Sequence, residues 1–320
     1  MSRNFLVAPD SFKGTFDAAA VAAAIAAGIE AAGGEADRCP VADGGEGTMA
    51  VLLGALGGER RSARVHDPLR RPIEASFGLL GGGGTAIVEV AQASGLPLLA
   101  PGERDPERAD TFGTGELIAA AVAAGAKRVL VAVGGSATTD GGRGAIEALR
   151  QSDAVTIEVL CDVRTPYENA ARVFAPQKGA SPEAVERLTK KLDAFAAELP
   201  RDPRGLPMTG AAGGLSGGLW AYGATLRPGA DFVLDALDFD ARLARADAVV
   251  SGEGRFDSQS LEGKIVGAIA TRCAAAGKPL HLIVGQNGMG KKPDVISSVI
   301  TASSLEEIRA TGGELGRANT

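Results

Sequence analysis

An α/β fold in two domains is what this sequence predicts, on three observations. Short apolar runs of strand character alternate with Ala-rich segments of helical character, the βαβ rhythm of a largely parallel sheet covered on both faces. That rhythm breaks once, over residues 59–92, where three strand-like runs follow one another with only Gly- and Pro-rich turns between them. The length, 320 residues, suits two domains with cores of their own.

Taken in order, "NFLVAP" (4–9) is the first strand, and the Ala-rich run 18–29 after it is a helix with Asp17 as N-cap. That run has the length of a signal-peptide core, but Asp10 and Asp17 stand where a basic segment would precede one. "DRCPVA" (37–42) is the next strand and leads to a helix from Glu46. The runs "RRSARVH", "PIEASFGLL" and "TAIVEV" read as an antiparallel meander that opens an inserted second domain. "RVLVAV" (128–133) then runs into a glycine-rich loop and a helix from Gly142 to Arg150. Ser181 as N-cap, Pro182 at the first helical position and apolar residues at helical spacing mark a surface helix, with Lys190 and Lys191 on its solvated face. Residues 205–224 set small residues around Trp220, the only tryptophan, which suits close helix packing ahead of a backbone-lined ligand wall. "DAVVSG" (247–252) precedes a helix after Gly263, and "LHLIVG" (280–285) is a strand near the end, with His281 a core or sheet-face residue.

Composition excludes several functions. The net charge is −6 with both signs interspersed, and no basic run is long enough to neutralise a nucleic-acid backbone. Cys39, Cys161 and Cys273 are far apart and the chain has only two histidines, so neither a zinc site nor a disulfide framework is expected and a cytoplasmic location fits. No stretch approaches the roughly 18 apolar residues that span a bilayer, so no membrane partner is expected. Neither histidine stands near a G-x-S-x-G elbow, which leaves no Ser-His-Asp triad.

Chemistry gathers at the ends of predicted strands, where ligands of open α/β sheets bind. The clusters are "APDSFKG" with Asp10, Ser11 and Lys13; "VADGGEG" with Asp43 and Glu46; "GGSATTDGG" with Ser136, Thr138 and Asp140; Asp162 after "LC"; and "SGEGRFDSQSLEGK" with Glu253, Arg255, Asp257 and Lys264. Carboxylates for a divalent cation, with glycine loops and lysines for phosphate oxygens, are the parts that phosphoryl transfer needs. Structural readings stand beside this one. Asp43 and Glu46 have the spacing of a capping box, Asp140 can cap the helix after it, and "VGGSATTDGGRG" (133–144) reads either as a phosphate cradle or as a tight corner. "GQNGMGKK" (285–292) matches G-x-x-x-x-G-K, but Lys292 replaces the hydroxyl that binds magnesium, so it is not expected to be a P-loop; Lys291 and Lys292 can still attract anions.

In this order the clusters resemble the bacterial glycerate kinase family. The resemblance is carried by "APDSFKG", "PVADGGEGT", "TFGTGELI", "VGGSATTDGG", "CDV", "FAPQKGA", "GAAGGL", "RPGADFVLDAL" and "SGEGRFDSQSLEGK", from Phe5 to about Gly285. It implies a flavodoxin-like parallel-sheet domain built from both chain ends, residues 1–65 and 230–320, and an inserted α/β domain with the antiparallel meander, residues 66–229, with the substrate cleft between them. It implies ATP-dependent phosphorylation of D-glycerate, commonly to 2-phosphoglycerate, with Mg²⁺ accompanying ATP. Some thirty residues usual in the family are missing between the helix after "DGG" and "CDV".

On this resemblance Asp43, Glu253 and Asp257 are the expected Mg²⁺ ligands, and Asp43, Asp257, Lys13 and Lys264 the expected catalytic residues. Asp43 is the first candidate for the base, and the two lysines neutralise phosphate charge. Asp10, Ser11, Gly44, Gly45, Gly134, Gly135, Ser136, Asp140 and Asp162 are expected in the substrate and phosphate sites, and Arg255 or Lys178 pairs with the substrate carboxylate. Partners are expected to be ATP and D-glycerate, with a homodimer left open. The alternatives are a non-catalytic binding or regulatory protein for an anionic metabolite, motivated by the shortened middle, and a kinase of another short hydroxy acid.

Overall fold

The computed structural model describes residues 2–149, 155–261, 264–289 and 292–317. Arg150, Gly263 and Lys291, where the sequence places a helix end, a helix start and a loop lysine, lie outside the described residues. The chain forms two compact units, residues 1–43 with 230–320 and residues 44–229. Their strands, among the described residues, are β1 (Asn4–Pro9), β2 (Glu35–Arg38), β3 (Gly58–His66), β4 (Pro72–Leu80), β5 (Thr85–Glu89), β6 (Arg128–Ala132), β7 (Thr156–Cys161), β8 (Thr225–Pro228), β9 (Ala248–Phe256), β10 (Leu280–Asn287) and β11 (Ser298–Thr301).

The first unit has a parallel sheet in the order β2-β1-β9-β10-β11. Counted within the unit this is 2-1-3-4-5, the flavodoxin-like order. β1 is buried from Phe5 to Pro9 because helices cover both faces, so it reads as a continuous apolar run instead of an alternating one. Phe5, Val7, Val21, Ile25, Val250, Ile283 and Ile308 form one core against the helices Ala18–Ala31 and Leu305–Arg317. A Cβ on Gly28 would overlap the Arg309 carbonyl oxygen, so glycine is what lets these two helices touch backbone to backbone. Asp17 caps the first helix as expected, its Oδ1 accepting from the Ala20 N–H at 2.7 Å.

The second unit has the sheet order β3-β4-β5-β6-β7-β8. The first three strands form the expected antiparallel meander, and from β5 onward the pairing is parallel. β7 sits between β6 and β8, so the sheet runs on across the shortened stretch before it. Val65, Phe77, Val88, Leu117, Val129, Val131 and Leu215 centre the core. The chain enters this unit at Gly44 and not near residue 65, because β3 pairs along its whole length with β4.

Local expectations divide. Ser181 caps the helix Pro182–Glu198 through the Ala184 N–H. In the stretch 205–224 packing is what the small residues serve: a Cβ on Gly218 would overlap the Gly141 carbonyl oxygen. The capping box at Asp43 and Glu46 does not form. The helix begins at Thr48, after Gly47 with φ 95°, and the N–H groups of Gly47 and Met49 donate to Glu89 Oε1 at 2.9 and 2.8 Å. Glu89 stands on β5, so a carboxylate remote in sequence does the work of a local cap.

Candidate active site

In the first unit the chain leaves β1 toward β2 on one side and returns through β9, β10 and β11 on the other. Strand order therefore reverses between β1 and β9, and an open α/β sheet has its crevice beyond the C-terminal ends at such a point. A cavity of about 430 Å³ there is lined by Asp10, Ser11, Lys13, Asp43, Glu253, Arg255, Asp257 and Lys264. Three separate sequence clusters thus meet in one space. The expected P-loop lookalike contributes differently: Gly285 to Asn287 continue strand β10, and Gly285 and Gln286 line the cavity from the sheet itself.

Backbone geometry puts these side chains there. The Asp10 N–H donates to the Gly252 oxygen at 2.8 Å, extending the ladder one residue past β1. Phe12 and Phe16 then bridge each other, which folds Ser11 to Thr15 into a tight turn, and Phe12 is buried. Gly254 lies close under Phe12 and the Lys13 amide. On β9, Glu253 and Arg255 are two residues apart and point to the same face.

Electrostatics make the cavity costly to hold. Asp10 is 6% exposed and its carboxyl is pushed up to about 7, first by burial and then by the Asp43 charge, against the pull of the Ser11 N–H and Lys13. Glu253 is also pushed up to about 7, mainly by burial, with Asp257 and Asp43 adding to it and the Ser260 hydroxyl and Lys264 opposing. Its Oε1 is buried without a hydrogen-bond partner. Lys13 Nζ lies 3.7 Å from Asp43 Oδ2, and Arg255 Nε lies 3.3 Å from Asp257 Oδ2; both cations are exposed. Among the described residues no three His, Cys, Asp or Glu side chains form a ready metal-binding group.

The remaining candidates lie in the second unit. Gly44 and Gly45 precede the helix at Thr48, and Gly134 packs against Gly45. The 133–140 loop is held by backbone bonds, with the Leu96 N–H donating to Gly135 O and the Ala137 N–H to Ser94 O, both at 2.9 Å. Asp162 follows β7 directly. Two expectations change here. Asp140 is held structurally: its Oδ2 accepts from the Thr111 N–H and hydroxyl and from the Gly144 N–H and its Oδ1 from the Gly142 N–H, at 2.8–3.1 Å, so it ties two helix starts together. Lys178 does not face outward; it is buried behind the loop, with Nζ donating to Ser136 Oγ and Thr138 O.

Phe12, Thr15, Gly254, Ile265 and Ser303 also line the cavity and were not named as candidates from sequence. They carry no charge that could have marked them in the sequence.

Comparison with known proteins bears on the whole chain. The profile of the glycerate kinase family matches residues 5–153 and 150–308. The glycerate kinase of Bacillus subtilis (strain 168) is 39% identical, covering 88% of this chain and 84% of its own. The glycerate 2-kinase of Escherichia coli (strain K12) is 37% identical, covering 94% and 92%. A crystal structure assigned as glycerate kinase 2 from Salmonella typhimurium LT2 aligns with a TM-score of 0.85 at 34% identity, covering 100% of this chain and 98% of that one. The ordered motifs, the two sheets and these matches have one reading in common: the chain belongs to the glycerate kinase family.

Proposed function

We propose that this protein phosphorylates D-glycerate with ATP to give 2-phosphoglycerate. The observation that carries the reading is the cavity at the switch point, where Asp10, Asp43, Glu253 and Asp257 share one space with Lys13, Arg255 and Lys264. In a chain of this family that combination suits phosphoryl transfer, which asks for charge placement more than for covalent chemistry. The name of the E. coli relative, a glycerate 2-kinase, supports the position of the new phosphate.

The residues suit a bound Mg²⁺. Burial and mutual repulsion hold Asp10 and Glu253 near 7, a cost that a cation would offset, and Glu253 Oε1 lacks a partner. The absence of a ready three-carboxylate group among the described residues is in keeping with an ion that takes one or two carboxylates and fills its shell with water and phosphate. One or two of Asp43, Glu253 and Asp257 would hold it, and bound there it would supply charge neutralisation at the phosphates.

Lys13 and Lys264 bind phosphate oxygens, and exposed Arg255, loosely paired with Asp257, turns to an incoming anion. Asp43 takes the proton of the glycerate hydroxyl as its oxygen bonds to the γ-phosphorus and the bond from that phosphorus to ADP breaks. Asp10 and Ser11 shape the phosphate end, while Gly44, Gly45, Gly134, Gly135, Ser136 and Asp162 serve the hydroxy acid. A coupled assay of ADP formation across short hydroxy acids tests the reading, with the product identified by ³¹P NMR. The expected result is turnover with D-glycerate and a 2-phosphate; a 3-phosphate, or preference for another acid, contradicts it.

A further inference from the structure

We propose that Lys178 is a positioning residue for the hydroxy acid, acting from behind the glycine-rich loop through the Ser136 hydroxyl and not by touching the substrate itself. This rests on the function proposed above.

Lys178 closes the short turn Pro176–Lys178 and is 2% exposed. Its Nζ donates to Ser136 Oγ at 3.0 Å and to Thr138 O at 2.5 Å. It forms no ion pair among the described residues. Asp140 is the acid whose field reaches it, but both Asp140 oxygens are engaged by Thr111, Gly142 and Gly144. Burial accordingly pulls the ammonium down to about 7.

A buried ammonium with no direct ion-pair partner is expensive, and two neutral acceptors could be met by an uncharged donor. Retaining a cation there makes physical sense if an anion arrives on the other side of the loop.

The donor count gives the route. In its charged form Lys178 has three N–H groups and no acceptor, so Ser136 Oγ then accepts from it and directs its own O–H elsewhere. The loop cannot easily swing, because Gly135 O and the Ala137 N–H are bonded to Leu96 and Ser94. Ser136 is 8% exposed, and on this proposal its O–H is directed to one oxygen of the small carboxylate. Lys178 thus sets both the direction of that donor and the positive potential behind it.

Steady-state kinetics on the full-length protein with ATP and D-glycerate test this, using wild type, Ser136→Ala, Lys178→Met and the double variant, each with its melting temperature. The KM for D-glycerate should rise about tenfold or more in each single variant and no further in the double, with the KM for ATP within about twofold of wild type. If Lys178→Met does not fold, Lys178→Gln keeps an uncharged donor on a polar stem and should show the same rise. A normal KM for D-glycerate in Ser136→Ala, or effects that multiply in the double variant, overturns the inference. Wild type without D-glycerate turnover overturns the proposed function as well, so the two failures are told apart.

Discussion

Asp10 illustrates at a single residue how the cavity trades stability for chemistry. Its carboxyl is pushed up to about 7 in the folded chain, against an ordinary value of 3.8. Between about pH 4 and 7 the folded state therefore holds a proton that the unfolded state has released, and stability falls as pH rises through that window. Asp10→Asn removes the cost. We expect a gain of about 1–4 kcal/mol above pH 7 that shrinks to nothing near pH 4, read from thermal melts across that range. A gain independent of pH would place the effect in packing. All eight candidates in this unit that were legible from sequence were so because each stands at a strand end beside glycine or another charge, as in "APDSFKG" and "GEGRFD". Lys178 and Asp140 were legible as polar residues in a loop, but not as buried ones. Which side of a loop faces inward depends on the partners it packs against, here Thr111 for Asp140 and Ser136 for Lys178.

At the scale of elements, the helix Thr48–Leu56 shows where local sequence signals mislead. The D-G-G-E pattern favours a capping box, yet Gly47 adopts a left-handed conformation and the helix amides are held by Glu89 from β5. A contact across about forty residues leaves no trace in a local pattern. Glu89→Ala should cost about 2–4 kcal/mol in urea unfolding, since it strands two amides, whereas Glu89→Gln keeps an acceptor and should cost under about 1 kcal/mol. Equal losses in the two would mean that charge, not acceptance, matters. The helix Leu215–Ala221 provides a second test: Gly218→Ala forces a methyl against the Gly141 carbonyl and should cost about 2 kcal/mol or more, while a ligand-wall role would leave stability unchanged. β8 and β11, four residues each, escaped the sequence reading because runs that short carry too little periodicity.

Over the whole molecule the α/β class, the meander and the split between chain ends and middle were legible, since each rests on patterns many residues long. The first crossing was not: β3 looks like the end of one domain or the start of the next until its pairing with β4 is known. Residues 44–229 carry their own sheet and core in one continuous segment, so this segment expressed alone should melt cooperatively with mixed α/β circular dichroism; a featureless spectrum would show that it depends on the rest of the chain. Phosphoryl transfer is assigned here to the switch-point cavity of the other unit. It is tested most directly by turnover of D-glycerate in Asp43→Asn and Asp257→Asn at saturating Mg²⁺ and ATP, with melting temperatures measured alongside. Gly47, not Asp43, is the N-cap of the helix Thr48–Leu56, so Asp43→Asn does not remove that helix's cap. We expect a fall of about 100-fold or more in kcat at nearly unchanged melting temperature; near-normal kcat in both variants would remove the chemistry from this cavity.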